Sequence, residues 1–246
     1  MTREEVLALY RPIRASVRRI LRLAVPACTH ADLSRVAKQL GLWAKRKILL
    51  PEDTMAPEML GDIALFEPNQ RGRRAFDRFL SEQGPLLGAA DFQVAQKMRE
   101  AFFSLFRCAG RHETAGVRLD DLLDGNRGLW LMDVEMETSA PEGAIFGMRL
   151  FDAGAFHVGF GIVVPADEET IDFSVQGKTH NGRLPFRHSL AATLYGDSLR
   201  ASLPLAREVE EAFVSLLGRL AASGAALHRV GGPLPPLHKV RPCKRN

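Results

Sequence analysis

Residues 116–165 constrain the fold of this chain more than any other stretch. Four segments of β character are punctuated by turn signals: GVRLDDLL before Asp124-Gly125-Asn126, LWLMDVEM before Pro141-Glu142-Gly143, AIFGMRLF before Asp152-Ala153-Gly154, and finally AFHVGFGIVVP. Glycine and asparagine tolerate positive φ, so Asp124-Gly125-Asn126 suits a tight hairpin. Connections this short leave no room for parallel crossovers. The pattern therefore predicts an antiparallel meander, or a small barrel of four to five strands curled at Gly147, Gly159 and Gly161. Within LWLMDVEME, Leu131, Asp133, Glu135 and Glu137 alternate with Met132, Val134 and Met136. As a strand this would have one solvated face.

Helical periodicity flanks the β stretch and makes the class α+β. Val6, Leu7, Tyr10, Ile13, Val17, Ile20 and Leu21 recur at helical spacing. Thr2 with Glu5 forms a capping-box signature, and Pro12 is expected to bend or split this helix. Further helices are expected from Thr29 or Asp32 to Gly41, over 56–66, 72–81 and 91–106, and again over 186–195 and 203–222, with an additional strand over 170–175. The resulting organisation is a helical region over 1–110, an antiparallel β module over 111–185, C-terminal helices over 186–230, and a basic, proline-rich tail over 231–246.

Composition narrows the function classes. No apolar run approaches the roughly 20 residues a membrane span requires, and Glu4 and Glu5 interrupt the start of the chain where a secretory or transit segment would carry none. Three scattered cysteines, Cys28, Cys108 and Cys243, form neither a disulfide framework nor a zinc pattern. The expected compartment is the cytoplasm. Arginine outnumbers lysine 26 to 7, which reads as a GC-rich bacterial coding bias. Charge is unevenly placed: residues 1–50 hold eleven Lys/Arg against three acids, and residues after Glu211 hold six Lys/Arg and no acid. Basic ends suit a polyanionic partner or attraction to the acidic middle of the same chain.

Asp121-Leu122-Leu123-Asp124-Gly125, Asp133, Ala140-Pro141-Glu142-Gly143, Arg149-Leu150, Phe156, Gly161 and Pro165 carry a family resemblance. Upstream, Leu40-Gly41-Leu42, Ala64-Leu65-Phe66 and Phe103-Ser104-Leu105-Phe106 extend it. Over about residues 30–165 the chain resembles a group of uncharacterised bacterial proteins, many with a C-terminal zinc motif of the SEC-C type. The resemblance implies a helical platform followed by a strand-rich module, with no activity to carry over. The zinc motif needs several cysteines in a short run, whereas Cys243 stands alone here, so an intact zinc site is not expected.

Candidate chemistry is sparse. THADLSRVAKQLGLW (29–43) resembles the start of a helix-turn-helix, but it runs on into Lys45-Arg46-Lys47 and an apolar stretch rather than a recognition helix. Asp120, Asp121, Asp124, Asp133, Glu135 and Glu137 gather acids without the spacing of a cation loop. Cys108 and His112 lie four apart, yet no third residue orients them. Gly177-Lys178-Thr179 mimics the end of a phosphate loop but lacks its leading glycine. No catalytic, cofactor or metal residue is assigned. The preferred reading is a non-enzymatic binding or adaptor protein with an unknown protein partner, with the 203–220 helix as a route to a homodimer. The first alternative is a nucleic-acid-associated protein using Arg14, Arg18, Arg19, Arg22, Lys45, Arg46, Lys47 and the tail. The second is an enzyme drawing on Asp121, Asp133 and His157.

Overall fold

Thr2 and Glu5 close the expected capping box, and helix α1 follows as Arg3–Ala24. Pro12 lies inside it without splitting it. It sits on the exposed side, where water can serve the carbonyl that proline leaves without a donor. The computed structural model describes residues 1–51, 54–171 and 187–202. A second capping box, Thr29 with Asp32, starts α2, His30–Gln39. Gly41, at φ +75°, turns the chain out of the helix. The chain then forms a small hairpin rather than a second helix: β1 (Trp43–Ala44) pairs antiparallel with β2 (Lys47–Ile48). Lys45 and Arg46, both at positive φ, form its two-residue turn. The helix-turn-helix likeness ends there.

Helix α3, Ala56–Phe66, spans the range its periodicity predicts and is buried except at Pro57 and Glu58. Helices α4 (Ala75–Gln83) and α5 (Ala89–Met98) follow. The expected helix over 91–106 is corrected at its second half, because Phe102–Arg111 forms strand β3. A continuous apolar run is ambiguous between a buried helix and a strand paired on both sides. β3 is such a strand, antiparallel to both of its neighbours.

The remaining strands are β4 (Val117–Asp121), β5 (Arg127–Leu131), β6 (Ile145–Asp152) and β7 (His157–Ala166). They close with β3 into a barrel of order β3-β4-β5-β7-β6. Two expectations change. The strand read through LWLMDVEM stops at Leu131, because Asp133 caps a short helix α6, Val134–Ser139, by accepting from the Glu135 and Met136 amides. Asp133, Glu135 and Glu137 therefore do not share a strand face. In addition, one pairing is parallel: β5 meets β7 at Leu131–His157, with α6 and β6 in the crossover between them. The other four pairings are antiparallel.

Glycine closes the barrel where side chains could not. Gly161, at φ +92°, lies where the β6–β7 register shifts, which bends β7. At Gly147 an added Cβ would fall 2.5 Å from Leu194 Cδ1, so glycine is what lets helix α7, Arg187–Ser202, lie on the barrel wall. The barrel interior is filled by Phe106, Cys108, Leu119, Leu131, Met148 and Leu150, with Met136 of α6 packed against them. A larger apolar layer lies between the barrel's outer face and the helices, including Phe103, Phe151, Phe160, Ile63, Phe76 and Tyr195.

Met1–Ser202 forms one compact unit, and the other, Leu203–Asn246, lies outside the described residues. The proposed dimer helix and the basic tail fall there. Residues 168–171 are helical, and the rest of the strand expected over 170–175 also falls outside the described residues. No helix among the described residues is long and apolar enough to cross a membrane.

Candidate functional site

Helix α3 is apolar around nearly its whole circumference, yet it carries Asp62 at its centre. Strand β6 carries Arg149 on its outward face, beneath the helices, between Met148 and Leu150, which point into the barrel. Alternation forces these two isolated charges together. Arg149 Nε donates to Asp62 Oδ1 at 2.9 Å, and both side chains are buried. Tyr195 of α7 donates its hydroxyl to Asp62 Oδ2 at 3.1 Å. The Arg149 guanidinium also lies over the rings of Phe66 and Phe103, at 5.4 and 5.6 Å. Glu67, which caps the end of α3, completes the cluster.

Burial sets the protonation of this group. Glu67 is 4% exposed, and desolvation pushes its carboxyl up to about 8 against the downward pull of Arg149 and Arg35. Its other charged neighbour, Asp62, pushes the same way as burial. Burial and the Asp62 carboxylate likewise hold the Tyr195 hydroxyl well above its ordinary value. Several buried atoms here lack a hydrogen-bond partner among the described residues: Glu67 Oε1, Arg149 Nη2, and Nε and Nη2 of Arg35. Each such group costs about 1–3 kcal/mol, so their concentration at one point distinguishes this cluster from ordinary packing.

Asp62 also borders a cleft of about 420 Å³ that opens between the end of α1, the start of α3 and β7. Its walls are Leu21, Val25 and Pro26 on one side, Pro57, Gly61 and Leu65 on α3, and Phe160 and Ile162 on β7. Arg22 and Glu58 also line it. Leu23, Val25 and Met55 stand 50%, 40% and 43% exposed on the same elements. An apolar cleft with a few convergent polar groups is the general form of a ligand site.

The sequence-predicted basic residues divide into two kinds. Arg14 Nη1 donates to the Gly159 carbonyl at 2.9 Å, and Arg19 pairs with Asp91, so both serve the packing of α1. Arg18 and Arg22 are exposed and have no ion-pair partner among the described residues. With Leu23 they line a shallow depression that shares Arg22 with the apolar cleft. Lys45, Arg46 and Lys47 are exposed on the β1–β2 hairpin.

Asp121, Asp133 and His157 are not brought together as a catalytic set. Asp121 is buried, accepts from the Ser104 hydroxyl and accepts from the Leu123 amide. Asp133 caps α6. His157 lines a polar cleft of about 620 Å³ with Lys97, Glu100, Phe102, Arg127 and Asp152. Burial lowers its pKa, partly countered by Asp152 and a hydrogen bond to the Trp130 backbone. That cleft is wider than the apolar one, but its cations are already engaged: Lys97 with the Ala153 carbonyl, Arg127 with Asp124. Cys108 points into the barrel core while His112 stacks on Trp130 at 3.9 Å. No three His, Cys, Asp or Glu among the described residues are grouped to hold a metal ion. Gly177-Lys178-Thr179 and Cys243 fall outside the described residues.

Sequence reasoning missed Asp62, Glu67, Arg149, Tyr195 and Arg35. The available signal was one acid inside MLGDIALF and one base inside IFGMRLF, each alone in an apolar run. A buried charge needs a partner, so two such residues in one chain are candidates for each other.

Residues 4–178 match a family described as a family of unknown function (DUF7986). No curated protein and no solved structure matches the chain.

Proposed function

Because the chain belongs to DUF7986, a family of unknown function, its role has to come from its own geometry, and we propose that it is a binding protein. Its docking surface is the apolar cleft between α1, α3 and β7, and its occupant is a segment of a partner protein. The observation that carries this reading is the open apolar cleft with Leu23, Val25 and Met55 exposed on its elements. Apolar surface of this kind, lined by charged residues, is the usual mark of an interaction site. Leu23 is exposed beside the cleft without lining it, so the apolar surface extends beyond the concavity a small ligand would fill, which favours a macromolecule over a small solute. Charge complementarity gives the chemistry of the segment. Arg18 and Arg22 have no ion-pair partner among the described residues and lie along α1 beside the cleft, so the segment carries an aliphatic or aromatic anchor flanked by Asp or Glu.

Selection from a random peptide display library on the purified protein tests this. Enriched peptides should combine an apolar anchor with neighbouring carboxylates. Gly61→Met extends a side chain from a cleft wall toward Val25, where an added Cβ meets only an ordinary 3.4 Å contact. It should weaken the selected peptides by about tenfold or more, and Arg18→Glu with Arg22→Glu should do the same. Peptides that bind the filled variant as tightly as the wild type would remove the reading.

A second reading has its own observation. The β1–β2 turn displays Lys45, Arg46 and Lys47 to solvent, and with Arg18 and Arg22 they offer a basic surface to a polyanion. Retention of single-stranded RNA that falls steeply with salt, and is lost on replacing the hairpin triplet by alanine, supports it. Binding indifferent to ionic strength defeats it.

A further inference from the structure

Arg35 lies on α2 and directs an unused edge of its guanidinium into the protein. Nη1 donates to Gln39 Oε1 at 3.2 Å. Nε and Nη2 are buried and have no partner among the described residues. Those two atoms form the edge with which an arginine grips two oxygens of one carboxylate or phosphate at once. Arg149 Nη2 and Glu67 Oε1 are left open in the same way. The three side chains come from α2, β6 and the end of α3, and both guanidiniums act electrostatically on Glu67.

Water could satisfy these hydrogen bonds, but charge argues for more than water. Asp62 is the ion-pair partner of Arg149. Glu67 is neutral at pH 7 because burial raises its carboxyl. Arg35 is then a partly buried cation without a counter-ion among the described residues. We propose that Arg35, Arg149 and Glu67 form an internal site for a small oxyanion, a carboxylate or phosphate group, held on the Arg35 fork. The site is separate from the cleft and does not depend on partner docking there.

The four groups facing Glu67 are Arg149 from β6, Asp62 from its own helix, Arg35 from α2 and Tyr195 from α7. Below about 8 the protonated Glu67 leaves the cluster with a net positive charge, and the anion supplies the balance. Above about 8 the Glu67 carboxylate becomes the counter-ion of Arg35 and competes with the anion.

Isothermal titration of the full chain with sodium sulfate, sodium phosphate and sodium acetate, in a zwitterionic buffer at low salt, tests the proposal. The expected result is one saturable site per chain for at least one of the three. Preference for acetate identifies a carboxylate ligand, and preference for phosphate a phosphate group. Arg35→Gln should weaken binding by at least about tenfold. Arg35→Lys should also weaken it, since a lysine offers charge without the fork. Sulfate keeps its charge across the range, so its affinity should fall as pH rises through about 8 in the wild type and stay level in Glu67→Gln. Absence of a saturable site for all three salts, or binding unchanged in Arg35→Gln, overturns the proposal. Should the Arg35 variants fail to fold, a wild-type sulfate affinity that does not fall between pH 7 and 9 overturns it as well.

Discussion

Replacing Glu67 with glutamine isolates the electrostatic strain of a buried carboxyl. Burial holds the Glu67 carboxyl at about 8, against 4.5 for an ordinary glutamate. Between those values the folded chain keeps a proton that the unfolded chain releases. Stability is therefore fully present below 4.5, falls as pH rises, and has lost the whole contribution once pH passes about 8. Each unit of difference is worth about 1.4 kcal/mol, so the full span amounts to about 5 kcal/mol and the loss at pH 7 to about 3 kcal/mol. These are upper bounds, because an ionised carboxylate can relax toward Arg35. Glutamine has the same shape and does not ionise. Urea denaturation of both proteins across pH 4.5–9, in anion-poor zwitterionic buffer, should give equal stabilities near pH 4.5 and a Glu67→Gln variant about 3 kcal/mol more stable at pH 7. The comparison matters more than either curve. His112 and His157, whose pKa values burial lowers, make stability rise with pH near neutrality, but they do so equally in both proteins. Two pH profiles that stay parallel from 4.5 to 9 would refute the argument that burial governs Glu67.

Other perturbations draw on the same geometry. Asp62→Asn leaves the buried Arg149 guanidinium without its counter-charge and should cost about 3–5 kcal/mol in urea denaturation, while Asp62→Leu with Arg149→Met should recover much of that loss. Gly61→Ala adds a methyl group at a helical position where the nearest side-chain atom is 3.4 Å away. It should stabilise the protein by about 0.5–1 kcal/mol, read as a small rise in Tm. Cys28 is 9% exposed, and burial with the nearby Asp32 raises its thiol to about 11. Iodoacetamide at pH 8 should leave it unmodified in the native protein and alkylate it in urea, as judged by peptide mass spectrometry.

Much of the fold was legible because its signals are local. Thr2 with Glu5 and Thr29 with Asp32 fix two helix starts through side chains three residues away, and α3 begins and ends where its apolar run does. The misreadings have a common cause. In Phe102–Arg111 a strand buried on both faces loses its alternation and reads as helix. In LWLMDVEME the alternation is present, but Asp133 ends it by capping, and a cap outweighs a period of two when the next three residues can turn. The parallel β5–β7 contact could not be read from loop lengths, because the element that crosses over is itself a strand of the barrel.

The site was harder to read because its members are far apart in sequence. Arg35, Asp62, Glu67, Arg149 and Tyr195 are scattered along the chain, and none belongs to a motif. The residues that did look functional, the arginines of α1, were chosen for their density, and two of them hold described partners, Arg14 the Gly159 carbonyl and Arg19 the Asp91 carboxylate. Density of charge on a surface helix says little, since water solvates such charges at small cost. A single acid or base inside an apolar run is more informative, because desolvation makes its presence expensive unless a partner is supplied. In this chain Asp62 and Arg149 supply each other, Tyr195 completes Asp62, and the unused edge of Arg35, with Arg149 Nη2 and Glu67 Oε1, is what remains in this cluster among the described residues. That remainder, which no motif marks in the sequence, is what the proposed anion would satisfy.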